Sequence, residues 1–120
     1  MFLHRGSGQR LSVNEAWTRT TGGCPEAVLL DVREEPEWRT GHAPGAVHVP
    51  LTDLAAGATM VAARGLPLVV ICRSGHRSQQ AVKILAERGA DAVDVKGGMN
   101  AWAAAGLPVI DERGDGGSIA

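Results

Sequence analysis

The sequence lacks the features that mark several function classes. It has only two cysteines, Cys24 and Cys72, and no Cys-x-x-Cys pair. A disulfide-built fold is thereby excluded, and neither a zinc-knuckle nor a thioredoxin-type pair is present. Three tryptophans and one phenylalanine, with no tyrosine, are too few for a base-stacking platform. Twelve Lys and Arg against thirteen Asp and Glu leave a formal net charge of -1, without the basic surplus of a general nucleic-acid binder. No apolar run approaches the roughly 20 residues of a membrane-spanning helix. Met1 to Arg10 carries a basic pair, His4 and Arg5, but not the apolar stretch of roughly 7–15 residues found in a secretory signal. The expectation is a cytoplasmic protein that engages neither membrane nor nucleic acid. Gly-x-Gly-x-x-Gly, a Walker loop and Gly-x-Ser-x-Gly are also missing, which argues against nucleotide binding and serine hydrolysis.

What is present describes one globular domain. The 120 residues are 44% hydrophobic and 21% charged, a composition able to bury a core at single-domain size. Sixteen glycines punctuate short apolar runs, so tight turns are frequent. Ser12-Val13-Asn14-Glu15 is a capping box and predicts a helix from Val13 until Gly22-Gly23. Ala27 to Val32 is a short continuous apolar run, as expected of a strand buried on both faces. Pro36 opens a short helix through Trp38 that ends at Gly41, and Ala46 to Val49 is a second strand. Leu51 to Arg64 reads as a helix weakened at Gly57, and Leu68 to Ile71 is the strongest strand signal. Ala81, Val82, Leu85 and Ala86 recur at helical spacing and predict a helix from about Ser78 to Arg88. Ala92 to Val95 is a further strand, followed by a turn at Gly97-Gly98 and a helix over Met99 to Ala105. Strand and helix alternate four times, which predicts an α/β fold with a single central parallel sheet flanked by helices over residues 1–110. Gly-rich, charged Asp111 to Ala120 is expected to be a disordered tail.

Open parallel sheets bind ligands outside the carboxyl ends of their strands, and Cys72 stands at that end of the best strand, directly before a helix. The connecting loop reads Cys72-Arg73-Ser74-Gly75-His76-Arg77, followed by Ser78. Backbone N–H groups curling into a helix N-terminus cradle an anion, Gly75 permits unusual dihedrals, and Arg73 and Arg77 add positive charge. Such surroundings favour a thiolate and make Cys72 a nucleophile without a dedicated base. A lone cysteine is more often a small buried hydrophobe, but an apolar core position is not followed at once by this much charge. His76 is equally compatible with substrate contact and with a solvated loop, and Arg73 with a solubilising rim charge.

With these residues the sequence resembles the single-domain rhodanese family of sulfurtransferases. The resemblance rests on the Cys72 to Ser78 loop, Leu30-Asp31-Val32-Arg33, Gly41-His42-Ala43-Pro44-Gly45-Ala46 and Val95-Lys96-Gly97-Gly98-Met99-Asn100-Ala101-Trp102. It covers about Leu11 to Val109, and the four motifs stand in the family's order. It implies a rhodanese-like parallel sheet and a reaction in which Cys72 takes the outer sulfur of a donor such as thiosulfate, releases sulfite and carries a persulfide. A thiol, a protein sulfur acceptor or cyanide then removes that sulfur. Ser74, Gly75 and His76 would line the substrate cradle, and Arg77 and Arg73 would hold a sulfonate by charge-assisted hydrogen bonds. Related phosphatases and arsenate reductases carry Cys-x5-Arg, whereas Cys72 to Arg77 is Cys-x4-Arg, a shorter ring that suits sulfur. A persulfide carrier serving a partner protein is the other alternative.

Asp31, Arg33 and Ser78 are candidate supports for the loop, although an Asp31–Arg33 ion pair joining two loops is a structural reading of the same residues. Arg33 could still reach substrate. His42 is read as a turn residue, Trp38 and Trp102 as packing, and Cys24 is left outside the site. His42, His48, His76 and Cys72 lack the short intervals of zinc ligands, so neither metal nor cofactor is expected.

Overall fold

The computed structural model describes residues 10–57 and 65–119, which form a five-stranded parallel sheet with helices on both faces. The elements are β1 (Arg10–Leu11), α1 (Val13–Thr20), β2 (Val28–Asp31), α2 (Glu35–Thr40), β3 (Val47–His48), α3 (Leu51–Ala55), β4 (Leu68–Ile71), α4 (Arg77–Glu87), β5 (Ala92–Val95) and α5 (Gly98–Ala104). The strand order is β1-β5-β4-β2-β3, and every pairing is parallel. This is the α/β class that alternating apolar runs and helix-length segments predict.

Alternation along β4 builds the two cores. Val69 and Ile71 face one layer with Leu11, Ala16, Met99 and Trp102. Leu68 and Val70 face the other with Leu30, Leu54, Ala81 and Leu85, and Cys72 continues that side. The period of two in a strand forces this division, and all four β4 residues are buried. On the first face Trp17 of α1 meets Trp102 of α5 edge to face at 5.8 Å, and Trp102 Nε1 donates to the Pro108 carbonyl at 2.8 Å.

The capping box forms as read: Glu15 N–H donates to Ser12 Oγ at 3.1 Å, and Ser12 N–H donates to the Glu15 carboxylate at 2.9 Å. That backbone donor holds the Glu15 carboxyl below the usual carboxylate range.

The structure departs from the sequence expectations in three places. A fifth strand, β1, precedes α1 and pairs with β5; two residues are too few to carry a periodic signal. The helix predicted over Leu51 to Arg64 ends at Ala55, ahead of Gly57, and residues 58–64 lie outside the described residues. The expected disordered tail follows a defined path through residue 119. His42 and Ile110 exchange backbone hydrogen bonds, Gly117 N–H donates to Val109 O at 3.0 Å, and Ser118 N–H donates to Thr40 O at 3.1 Å. Asp111 turns the segment by accepting from the Arg113 and Asp115 N–H groups, and the bare backbone of Gly41 admits Ser118 where a Cβ would collide. Composition registered the glycines and charges but not this docking. No helix among the described residues is long and apolar enough to cross a membrane.

Candidate active site

Cys72 begins the loop from β4 to α4, and its side chain is buried. Gly75 N–H donates to Cys72 Sγ at 3.0 Å, so one backbone donor of the expected cradle points at the sulfur. Gly75 has φ +106°, a conformation side chains rarely adopt, and a Cβ there would lie 2.7 Å from Arg10 Nη2. Its carbonyl accepts from Gln79 Nε2 at 2.7 Å and Arg10 Nη2 at 3.1 Å, which fixes the peptide whose neighbouring N–H meets the sulfur.

The loop is held from the next crossover as well. Met99 N–H donates to Cys72 O at 2.7 Å and Asn100 N–H donates to Arg73 O at 3.0 Å. This approach needs Gly98, where φ is +57° and a Cβ would run into the Cys72 carbonyl. The Gly97-Gly98 turn is therefore part of the loop's scaffold, a role beyond the simple turn that the sequence predicts.

Behind the sulfur lies a buried polar chain. The Cys72 thiol donates to Ser78 Oγ at 3.3 Å, and Ser78 donates to Asp94 Oδ2 at 3.0 Å. Arg10 closes the chain, with Nε 3.0 Å from Asp94 Oδ1 and Nη2 2.9 Å from Oδ2. The hydrogen bond to Asp94 raises the Arg10 pKa above its ordinary value. Ser78 and Asp94 are buried.

The remaining loop residues divide. Arg73, Ser74 and His76 are exposed at the mouth, with Ser74 Oγ 3.3 Å from His76 Nδ1. Arg77 turns to α2, where Nη1 and Nη2 donate to the two Glu37 oxygens at 2.6 and 2.8 Å. The Arg77 guanidinium holds the Glu37 carboxyl below the usual range, and Glu37 in turn raises Arg77. Arg77 is thus already paired with a carboxylate, and Arg73 is the loop arginine left facing solvent.

Asp31 and Arg33 do not reach the loop. They pair at 2.8 Å with both side chains fully buried, and Arg33 Nη2 also donates to Gly41 O at 2.7 Å. The idea that Arg33 could touch substrate is corrected by this burial: its donors are spent on Asp31 and on the end of α2. The pair instead steadies the helix that presents Glu37. His42 Nδ1 lies 2.7 Å from Trp38 O, and the Trp38 ring stacks with those of His42 and His48 at separations of 3.6 and 4.5 Å. Cys24 is exposed. Among the described residues no group of three or more His, Cys, Asp or Glu could hold a metal ion.

Sequence reading missed Arg10, Asp94 and Glu37. Arg10 and Asp94 are 84 positions apart, and nothing local joins them. Glu37 carried a faint signal, since Glu34 and Glu37 have capping-box spacing at the start of α2.

Residues 12–105 match the family model described as the rhodanese-like domain. The chain belongs to the rhodanese-like family. It is 42% identical over 77 residues to the putative sulfurtransferase YtwF of Bacillus subtilis, covering 64% of this chain and 74% of that one. It is 39% identical over 77 residues to the adenylyltransferase and sulfurtransferase UBA4 of Yarrowia lipolytica, covering 63% of this chain but spanning only 19% of that longer protein. The solved rhodanese-related protein from Thermoplasma volcanium superposes with a TM-score of 0.64 at 33% identity, covering 72% of this chain and 86% of that one. The rhodanese-like core thus takes in both the Cys72 loop and the Gly97-Gly98 scaffold beneath it.

Proposed function

We propose that this rhodanese-like domain is a sulfurtransferase that carries sulfane sulfur on Cys72. The observation that carries the reading is the Cys72 sulfur at the carboxyl end of β4, held by the Gly75 N–H at 3.0 Å within a six-residue loop. As a thiolate, Cys72 attacks the outer sulfur of thiosulfate or of a persulfide donor. The donor's sulfur–sulfur bond breaks, sulfite or a thiolate leaves with the electron pair, and Cys72 becomes a persulfide. An acceptor thiolate, on a small molecule or a protein, then attacks the outer sulfur and returns Cys72 as thiolate. The backbone donor and the nearby guanidinium groups of Arg10 and Arg77 oppose the negative charge at each stage. Arg73 is the candidate contact for a sulfonate, Ser74, Gly75 and His76 form the cradle, and Ser78 supports the loop, whereas Asp31 and Arg33 hold α2 and not the loop. No metal or cofactor enters the cycle.

The sulfurtransferase names of the relatives support the class of reaction. A persulfide donor is favoured over thiosulfate because Arg77 is already paired with Glu37, which leaves Arg73 alone for a sulfonate; a protein acceptor is favoured because a relative matches this chain within a longer adenylyltransferase and sulfurtransferase. A phosphatase or arsenate reductase is disfavoured by the short Cys-x4-Arg ring. The test is thiocyanate formation from thiosulfate, and separately from glutathione persulfide, with cyanide as acceptor. Wild type is expected to turn over both donors, with the persulfide faster, and Cys72→Ser neither; hydrolysis of an aryl phosphate with no thiocyanate would overturn the reading.

A further inference from the structure

We propose that the Ser78 hydroxyl is a two-position switch on the charge of Cys72, held in its resting position by the Arg10–Asp94 pair. The proposal rests on Cys72 as the sulfur-carrying nucleophile and assigns Asp94 and Arg10 as positioning residues for it. Ser78 has one proton, and in the structure that proton goes to Asp94 Oδ2 at 3.0 Å. Its oxygen therefore faces Cys72 Sγ, 3.3 Å away, with lone pairs only, an arrangement complementary to a thiol S–H and repulsive to an anionic sulfur. When the thiol proton leaves to water or a buffer base, or when the sulfur becomes an anionic persulfide, a buried anion would face a lone pair at high cost. Rotation about the Ser78 Cβ–Oγ bond turns the O–H from Asp94 to the sulfur and moves the lone pairs to the Asp94 side, where Arg10 offsets the carboxylate charge.

The turn is possible because Asp94 does not depend on Ser78. Arg10 gives hydrogen bonds to both carboxylate oxygens, so the carboxylate remains satisfied in either position. Arg10 also holds the Gly75 carbonyl, so one side chain fixes the acceptor behind the switch and the loop donor in front of the sulfur. The charged and titratable groups around Cys72 are Arg10 on β1, Asp94 on β5, Arg77 on α4 with Glu37 on α2, and the exposed Arg73 and His76 of the loop. Of these, Asp94 alone is tied to the sulfur through a hydroxyl. The switch gives a neutral sulfur an acceptor and an anionic sulfur a donor in one buried pocket, with Arg10 offsetting the carboxylate that then faces the Ser78 oxygen.

The test is a double-mutant cycle read by the ultraviolet absorbance of the Cys72 thiolate against pH, with Cys72→Ser as the blank for Cys24. Asp94→Asn weakens the pull on the Ser78 proton, releases it to the sulfur, and is expected to move the thiolate midpoint down by about one pH unit. On a Ser78→Ala background the same Asp94→Asn change removes only the carboxylate charge and is expected to move the midpoint by clearly less than when Ser78 is present. An equal displacement in both backgrounds would overturn the proposal, because Asp94 would then act through its charge alone; no displacement in either would overturn it too. If Asp94→Asn does not fold, the paired change Arg10→Met with Asp94→Leu removes both charges together and is judged by the same criterion. Because the readout needs no sulfur donor, failure of sulfur transfer in wild type would sink the functional reading and leave this result standing.

Discussion

Two arginine–aspartate pairs among the described residues are built differently. Asp31 and Arg33 stand two residues apart at the end of β2, both fully buried. Their side chains bond each other and the α2 segment: the Arg33 N–H donates to Asp31 at 3.0 Å, and the guanidinium reaches the Asp31 carboxylate and the Gly41 carbonyl at the end of α2. Arg10 and Asp94 are 84 positions apart and join β1 to β5, with Arg10 32% and Asp94 5% exposed. Their contacts run outward, to Ser78 and to the Gly75 carbonyl. The first pair is closed on itself and fixes the chain; the second keeps an acceptor available to the hydroxyl beside Cys72. The same chemical partners thus serve architecture in one place and the surroundings of the Cys72 sulfur in the other, and their remaining hydrogen bonds decide which.

Breaking the closed pair has the largest expected effect. Arg33→Ala strands a buried carboxylate and is expected to cost about 3–5 kcal/mol in denaturant unfolding, while sulfur loading per folded molecule stays unchanged. Loss of loading in the folded fraction would show that the closed pair also serves the site. Gly98→Ala sharpens the comparison from the loop side, because a Cβ would strike the Cys72 carbonyl in a left-handed backbone. It is expected to cost about 1–3 kcal/mol and, unlike Arg33→Ala, to slow sulfur loading in the molecules that remain folded. Stopped-flow loading beside equilibrium unfolding separates the two.

Glu37→Gln probes a third, half-exposed pair and has the smallest expected effect, about 1 kcal/mol or less. Because Arg77 holds the Glu37 carboxyl below its ordinary value, the pair's stabilisation is fully present above the usual carboxylate range and is lost as pH falls through the lowered value. The stability difference between wild type and Glu37→Gln should therefore be constant near neutrality and shrink in acid. A difference that grows in acid would reverse the assignment.

The fold was legible wherever the signal was local. Leu68 to Ile71 and Ala92 to Val95 are strands over the predicted residues because an apolar run ended by turn residues has few other uses in an α/β chain. The α4 helix begins at Arg77, one residue before the predicted start, since Arg77 is polar and adds nothing to an apolar period. The Cys72 loop was legible for the same reason, with cysteine, glycine and arginines falling together at a strand end. The partners behind it were not. Arg10 lies in a two-residue strand, and Asp94 sits among apolar neighbours in β5, where only the sheet order brings it near Ser78. The tail was misread because composition cannot register that Gly41 leaves room for Ser118.

Intact-protein mass spectrometry after incubation with thiosulfate, and separately with glutathione persulfide, tests the central claim most directly. Wild type is expected to gain the mass of one sulfur and lose it to cyanide as thiocyanate, while Cys72→Ser gains nothing. An adduct that persists in Cys72→Ser, or no adduct from either donor on protein whose Cys72 still reacts with a thiol probe, would contradict Cys72 as the sulfur carrier.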